Sequence, residues 1–477
     1  MTVSRSSSAP STTPPSTTTT GPVALTFAGA TGTVTGSAFV MEHAGRRVVV
    51  DCGLYQGERQ WRRRNWQPLP FAATSVNDLV LTHAHLDHCG RIPLLTREGY
   101  TGPVWCTEGT RRLGAVVLRD SAHLQEEYAE SARIGGFSKH DPPQPLYRAA
   151  DAEDAIRLMR PVDYDTAHPL ECGGTLRLTR AGHILGSACA LVELGEARVL
   201  FSGDLGRATH PLLLPRQPPP AARTVVLEST YGDRSHPVSE QPHAAMAATI
   251  RDAVARGGSV LMPAFAIDRT EVVLRTLSEL LRDGLIPDVP VHVDSPMALK
   301  AWDIYRAADL RHELRADLPP RVVDNLDLHY AHSAQESMRL NNPASPCIVV
   351  SASGMGTGGR VVHHLQSMLP DGRNAVVLTG YQAVGTRGRA LVDGVRQLKM
   401  FGRYVPVRAE VVMDDEFSVH ADADELLSWL EDLPEAPEQV YLVHGEEDSR
   451  EALATRIRNA TGWLVIVPRL GERVRVD

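Results

Sequence analysis

Apolar and polar positions along the chain follow a repeating pattern: a short apolar run, then a loop of small and polar residues. RRVVVDCG (46–53), DLVLTHAH (78–85), RVLFSGDLG (198–206) and TVVLEST (224–230) each read this way. Each run predicts a short buried strand with a chemically capable residue at or just past its C-terminal end. A second block repeats the form in GSVLMPAF (258–265), VPVHVDSP (289–296), SPCIVVSASGMGTGGR (345–360) and NAVVLTGYQ (374–382). RTEVVLRTLSELLRDG (269–284) between them has helical spacing. The last block runs from RAEVVMDDEFSVHAD (408–422) into a helix over DELLSWLEDL, then QVYLVHGEED (439–448) and the strand-rich TGWLVIVPRLGERVRVD. Strands alternating with helices predict an α/β protein with parallel or mixed sheets. In open sheets, sites gather at strand ends, so several such strands can aim at one place. MTVSRSSSAPSTTPPSTTTTG (1–21) holds too little apolar surface to order itself and is expected to be a disordered tail.

The chain has 477 residues, ample for two domains, and 43% of them are hydrophobic, ample for large cores. Its net charge of −8 lacks the basic surplus common in nucleic-acid binders. That argues mildly against a long electrostatic groove, but bound metal ions can supply the largest local charges in a site. Nearly all cations are arginine; the lysines are Lys139, Lys300 and Lys399. Cys52, Cys89, Cys106, Cys172, Cys189 and Cys347 form no CxxC pair and sit in apolar surroundings, as in a reducing compartment. No apolar run reaches the ~20 residues of a membrane span, and the N-terminus lacks the pattern of a signal peptide. The expectation is a cytoplasmic protein with no membrane partner.

LTHAHLDHCG (81–90) places His83, His85, Asp87 and His88 within one short stretch. His83 and His85 share a face where a strand ends and can reach one metal. Asp87 and His88 follow where the chain turns and so point elsewhere, to a second metal. A core has no use for such polar groups together. Two metals need more ligands, and other strand ends offer Asp51, His183, Asp204 and His444. A single carboxylate can hold two cations together, and Asp204 is the candidate bridge. Asp51 either binds metal or orients a ligand. Imidazole and carboxylate suit zinc better than manganese or iron.

HAHLDH, AGHILGSA, FSGD and LVHGE, in that order, resemble the metallo-β-lactamase superfamily. HAHLDHCGRIPLL, LESTYGDR, PAFAIDRTEVVL, VDSPMA, SGMGTGGRVVHHL, GYQAVGTRGR, FSVHAD and LVHGE narrow the resemblance to its beta-CASP branch. These are RNA-cleaving nucleases related to the endonuclease of messenger-RNA 3′-end processing and to RNase J. The likeness is greater to the shorter endonuclease type. The resemblance implies a four-layer αββα core (22–228 and 408–477) with an α/β beta-CASP domain (229–407) inserted as a cap over the site. It implies that His83, His85 and His183 bind one zinc and Asp87, His88 and His444 the other. Asp204 would bridge, and Asp51 would support the ligands from behind. Glu228 of LEST and His420 of FSVHAD match the family's added acidic and histidine motifs. His444 matches a third, where histidine goes with RNA substrates. Two departures are Asp268, where relatives often have glycine, and Val419, where alanine is common.

The expected reaction is hydrolysis of RNA phosphodiesters by a hydroxide held by two Zn2+ ions, endonucleolytic with exonuclease activity left open. Asp87 or Asp204 would take the water's proton. His420, oriented by Glu228, would protonate the leaving 3′ oxygen, giving 5′-phosphate and 3′-hydroxyl ends. The substrate would be single-stranded RNA, and a homodimer is an allowed assembly. Ser353, Gly354, Gly358, Gly359 and Arg360 lie in a small-residue loop before a helix and are candidates for holding an RNA phosphate. A pure turn is the competing reading of that loop. WRRRNW (61–66) is read as a solvated loop before an RNA contact. The alternative function is a small-molecule hydrolase of thioesterase or lactonase type on the same metal core.

Overall fold

A computed structural model describes residues 21–135, 142–236, 239–318 and 323–477. The expected tail, 1–21, lies outside the described residues except for Gly21.

Two seven-stranded sheets and one of six strands carry the architecture. The first sheet runs, in spatial order, Arg473–Arg475, Ala24–Phe27, Phe39–His43, Arg46–Val50, Asp78–Val80, Val104–Cys106 and Met159–Pro161. The second runs Val465–Ile466, Gln439–Leu442, Thr224–Leu227, Ala197–Phe201, Ala188–Leu194, Thr175–Arg180 and His168–Pro169. The closing strands of the chain thus complete the edges of both sheets.

Alternation along each strand decides how the layers stack. Leu25, Phe27, Val48 and Val50 of the first sheet pack on Leu176, Val192, Val199 and Phe201 of the second. The intervening residues face outward into helices. Val49 and Leu79 meet Ile92, Leu95, Leu113 and Leu118, from helices Ile92–Arg97 and Glu108–Gly135. On the far side, Leu200, Val225, Leu227 and Leu442 meet Leu426, Trp429, Leu453 and Ile457, from helices Ala423–Glu431 and Glu447–Thr461. This is the four-layer αββα arrangement.

The third sheet runs Leu328–Tyr330, Val291–Asp294, Ile348–Ser351, Val260–Pro263, Ala375–Leu378 and Glu410–Met413. Every pairing in it is parallel. Helices cover both faces, which is why its strands read as unbroken apolar runs. Glu410–Met413 pairs with Ala375–Leu378 and belongs to this third sheet. Its apolar run stands before FSVHAD and mimics the strand-then-site theme, but backbone pairing assigns it to the inserted unit.

Phe201 is 1% exposed between the two large sheets, 5.7 Å from the Phe39 ring. Phe201→Ala is expected to destabilise the fold by about 3–5 kcal/mol. The check is the midpoint of thermal unfolding; an unchanged midpoint would deny that this face joins the layers.

Candidate metal centre

Strand direction gathers the site. Arg46–Val50 and Asp78–Val80 are parallel, so Asp51 and the LTHAH segment leave the same edge of the first sheet. Ala197–Phe201, Thr224–Leu227 and Gln439–Leu442 are also mutually parallel. Their ends deliver Asp204, Glu228 and His444 to one edge of the second sheet. Thr175–Arg180 points the same way, through two antiparallel neighbours, and delivers His183. The first strand stops at Val80, so His83 and His85 lie in the loop beyond it rather than on the strand. Their convergence survives because the chain stays extended up to His85, which precedes the short helix Leu86–Cys89.

Among the described residues three overlapping donor groups form there, the third made of Asp204, Glu228 and His444. His83, His85, His183 and Asp204 place one donor atom each within 4.8 Å of one another, and so do Asp87, His88 and His444. In the first group His83 Nε2 and His183 Nε2 lie 3.1 and 3.2 Å from His85 Nδ1. Asp204 Oδ2 lies 3.5 Å from His83 Nε2 and 3.7 Å from His183 Nε2. In the second, His88 Nε2 is 3.2 Å from His444 Nε2, which is 3.4 Å from Asp87 Oδ2. Asp204 Oδ1 is 3.2 Å from His88 Nε2. The two oxygens of Asp204 therefore face different groups.

Behind them, hydrogen bonds orient the rings. Asp51 Oδ2 accepts from His88 Nδ1 at 2.8 Å, which turns His88 Nε2 toward Asp204 and His444. The Thr82 hydroxyl donates to Asp51 at 2.9 Å and lies 3.1 Å from His83 Nδ1. With its only proton used, that oxygen accepts from Nδ1 and frees Nε2. Ser187 Oγ accepts from the His183 and Ile184 amides. Two glycines allow the close approach. An alanine Cβ at Gly53 would stand 1.5 Å from the Asp87 carbonyl oxygen, and at Gly206 1.8 Å from that of Gly182.

Electrostatics separate the groups. Burial holds His83 and His183 well below the usual imidazole range, with His88 and His420 respectively adding to the effect. Burial also lowers His85 to about 4. These rings are neutral at pH 7, the state in which imidazole binds a cation. Burial opposes charge on His88, but Asp204 and Asp51 outweigh it and hold it well above the usual range. Burial likewise opposes ionisation of Asp204, yet His444 and His88 keep its pKa well below the ordinary carboxylate value. Asp204 Oδ1 is buried and faces both His88 Nε2 and His444 Nδ1. His83 Nε2, His85 Nδ1 and His183 Nε2 crowd together in a buried place with a carboxylate oxygen beside them, an arrangement that a cation among them would satisfy. The donor set fits bound metal.

His420 stands beside the first group, its ring 4.3 Å from that of His183. Its Nδ1 is 3.3 Å from Glu228 Oε1, and the ring is partly exposed while Glu228 is fully buried. Glu228 also accepts from the Leu205 amide and the Thr230 hydroxyl, both at 2.6 Å. The small-residue loop approaches from the third sheet: Gly354 packs against Phe265, whose ring is 6.2 Å from His85. Within it Ser353 Oγ accepts from the Thr357 amide, and Gly359 has φ +75°. Gly358 has open space beside it. Arg360 turns inward, donating to Asp294 at 2.6 Å and to the Ala331 carbonyl. WRRRNW forms two short helical turns, with Asn65 buried and Trp61 stacked on Tyr55. Thr82 and Thr230 are absent from the sequence reading; their signal is a hydroxyl residue directly before HAHLDH and within LEST.

Two facing sheets with a donor-rich edge, capped by a separate α/β unit, define a metal-dependent hydrolase of metallo-β-lactamase type. The chain belongs to the beta-CASP branch of that superfamily. The metallo-beta-lactamase superfamily model matches residues 31–264, the Beta-Casp domain 270–391, and the Zn-dependent metallo-hydrolase RNA specificity domain 404–468. The chain is 36% identical to Ribonuclease TTHA0252 of Thermus thermophilus, over 94% of this chain and 99% of that protein. It is 29% identical to transcription termination factor FttA of Methanocaldococcus jannaschii, over 95% of this chain and 72% of the relative. A protein of unknown function from Enterococcus faecalis shares the fold alone, with TM-score 0.50 and 12% identity over 95% of this chain and 100% of that one.

Asp51→Ala removes the acceptor that holds His88 and is expected to weaken metal binding by about 10–100-fold. Gly53→Ala, by displacing the Asp87 carbonyl, is expected to lower metal content in the same direction. Metal bound per chain after dialysis against a graded chelator checks both; wild-type retention would remove Asp51 from the site.

Proposed function

We propose that the protein is a zinc-dependent ribonuclease that cuts internal phosphodiester bonds of single-stranded RNA in the cytoplasm. The observation that carries the reading is Asp204, whose two oxygens face separate imidazole groups beside the His420–Glu228 pair. The name of the Thermus thermophilus relative, a ribonuclease aligned over nearly its whole length, supports the substrate class. Among the described residues no helix is long and apolar enough to cross a membrane.

In this reading His83, His85 and His183 would hold one Zn2+ and Asp87, His88 and His444 a second, and Asp204 would serve both groups. Bound zinc ions supply water that ionises near neutral pH and positive charge for the phosphate oxygens. Asp87 or Asp204 takes the proton released by the attacking water. Glu228 fixes the Nδ1 side of His420, so that Nε2 delivers a proton to the departing 3′ oxygen. The P–O3′ bond breaks, leaving a 3′-hydroxyl on one fragment and a 5′-phosphate on the other. Ser353, Gly354, Gly358 and Gly359 offer backbone and hydroxyl donors to a phosphate at the cleft. Arg360, held by Asp294, shapes that loop and adds positive charge to it. Residues 22–228 and those after 413 form the hydrolase core, and 229–413 the cap.

A 5′-labelled single-stranded RNA incubated with wild-type protein should yield internal fragments. Asp87→Ala should spare it, and a matched DNA strand should be cut far less. Absence of cleavage by protein that carries zinc would sink the reading and favour a small-molecule substrate. His420→Ala is expected to lower kcat about 10²–10⁴-fold with zinc content unchanged; zinc loss would make His420 a ligand instead.

A further inference from the structure

The cap carries a small hairpin outside its main sheet, Gln397–Met400 paired with Arg403–Pro406 and joined by Phe401 and Gly402. Its inner face is ordinary core: Leu398, Met400 and Val405 are buried with Val361, Leu365 and Leu391. Its outer face is unusual. Phe401 is 56% exposed and Tyr404 68%. Lys399 sits opposite Tyr404 in the register, its Nζ 5.8 Å from the ring centroid. The segment VRQLKMFGRYVPVR (395–408) holds Arg396, Lys399, Arg403 and Arg408 and no acidic residue, in a chain of net charge −8. All of those cations are exposed.

The turn adds an independent observation. Phe401 has φ +46° and Gly402 φ +77°. A two-residue hairpin turn with both φ positive favours asparagine, aspartate or glycine at its first position. A bulky ring there is conformationally disfavoured, and this one gains little burial in return. His363 stacks against it, centroids 4.7 Å apart and planes 27° apart, which fixes one ring face and leaves the other to solvent. Arg387 ties the hairpin to the small-residue loop of the cleft. It donates to the Gly356 and Thr357 carbonyls and lies 3.5 Å from that of Lys399.

We propose that the outer face of this hairpin is a second RNA-binding site, a platform on which bases of the single strand stack on Phe401 and Tyr404. Lys399 on that face and Arg387 beside it neutralise the adjoining phosphates. Aromatic rings accept any base, so the platform adds affinity without sequence preference. It favours single strands, because a duplex hides its base faces. A second copy of the chain is the poorer occupant: in a two-fold contact the same cations would face each other. The inference rests on the proposed action on RNA.

The test compares wild-type protein with the Phe401→Ala/Tyr404→Ala double variant, both zinc-loaded. Binding of a hydrolysis-resistant phosphorothioate RNA of about 16 nucleotides is read by fluorescence anisotropy. The double variant is expected to bind about tenfold more weakly or worse, and Tyr404→Phe to retain affinity. On cleavable RNA of that length KM should rise with kcat unchanged, while a strand of about 4 nucleotides is cut as by wild type. Equal affinities overturn the platform, as does weaker binding accompanied by a change of mass in light scattering, which would make the hairpin a contact between copies. Failure of the ribonuclease reading appears separately, as no cleavage by wild-type protein, while the affinity comparison still decides the platform.

Discussion

The buried carboxylate of Asp204 is the constraint around which the rest is arranged. It is 2% exposed, and a carboxylate so far from water is strongly disfavoured unless charge or hydrogen bonds compensate. Here the compensation comes from rings on different elements: His83 and His88 from the first sheet, His183 and His444 from the second. Each must arrive at the same end of its sheet, which dictates strand direction. Each must point one particular nitrogen inward, which dictates Asp51 behind His88 and Thr82 behind His83. The close backbone contacts at Gly53 and Gly206 follow from the same need, since turns that carry ligands cannot converge with Cβ atoms between them.

The cap is bound into this arrangement more closely than a lid laid over it. The amides of Leu185 and Gly186, in the loop that carries His183, donate to Tyr305 and Glu313 of the cap. Tyr305 in turn donates to Asp268 at 2.8 Å, and Asp268 lies 3.1 Å from His210 of the core. Asp268 has φ +66°, a backbone conformation that glycine adopts most readily. Its carboxylate also earns the site a link between core and cap that glycine lacks. The inserted unit therefore supports a loop of the metal centre as well as covering it.

Much of this was legible in the residue string, and the reasons are specific. Two-sided burial makes parallel strands read as VLMP, CIVV and AVVL, so the third sheet stands out. HAHLDH stands out because no apolar core employs such a cluster. The antiparallel strands of the second sheet were harder to see. Ala188–Leu194 is buried at nearly every position and lacks the alternation expected of a one-sided strand. The long helix Glu108–Gly135 mixes its buried stripe with charged residues that pair along its exposed side. The pairing of Glu410–Met413 with the third sheet is not legible in the residues, because strand partnership is a property of pairing and not of local pattern. Arg360 shows a similar limit. Its place in a glycine-rich loop suggests an outward cation, and only the buried Asp294 reveals what turns it in.

The charge balance is the feature that composition alone misread. A net charge of −8 speaks against a protein that attracts nucleic acid over its whole surface. The structure shows where local charge departs from that average. Within the core, neutral His83, His85 and His183 and the ionised Asp204 form a site whose positive character comes from the cations it fits rather than from side chains. Outside it, Lys399 and Arg403 on one small hairpin and Arg396 and Arg408 flanking it cluster without an acid among them. An acidic surface with a few positive places confines a polyanion to those places. Such a division favours a defined path for the strand over diffuse adhesion, and it makes total charge a poor guide to substrate in a metal-dependent hydrolase.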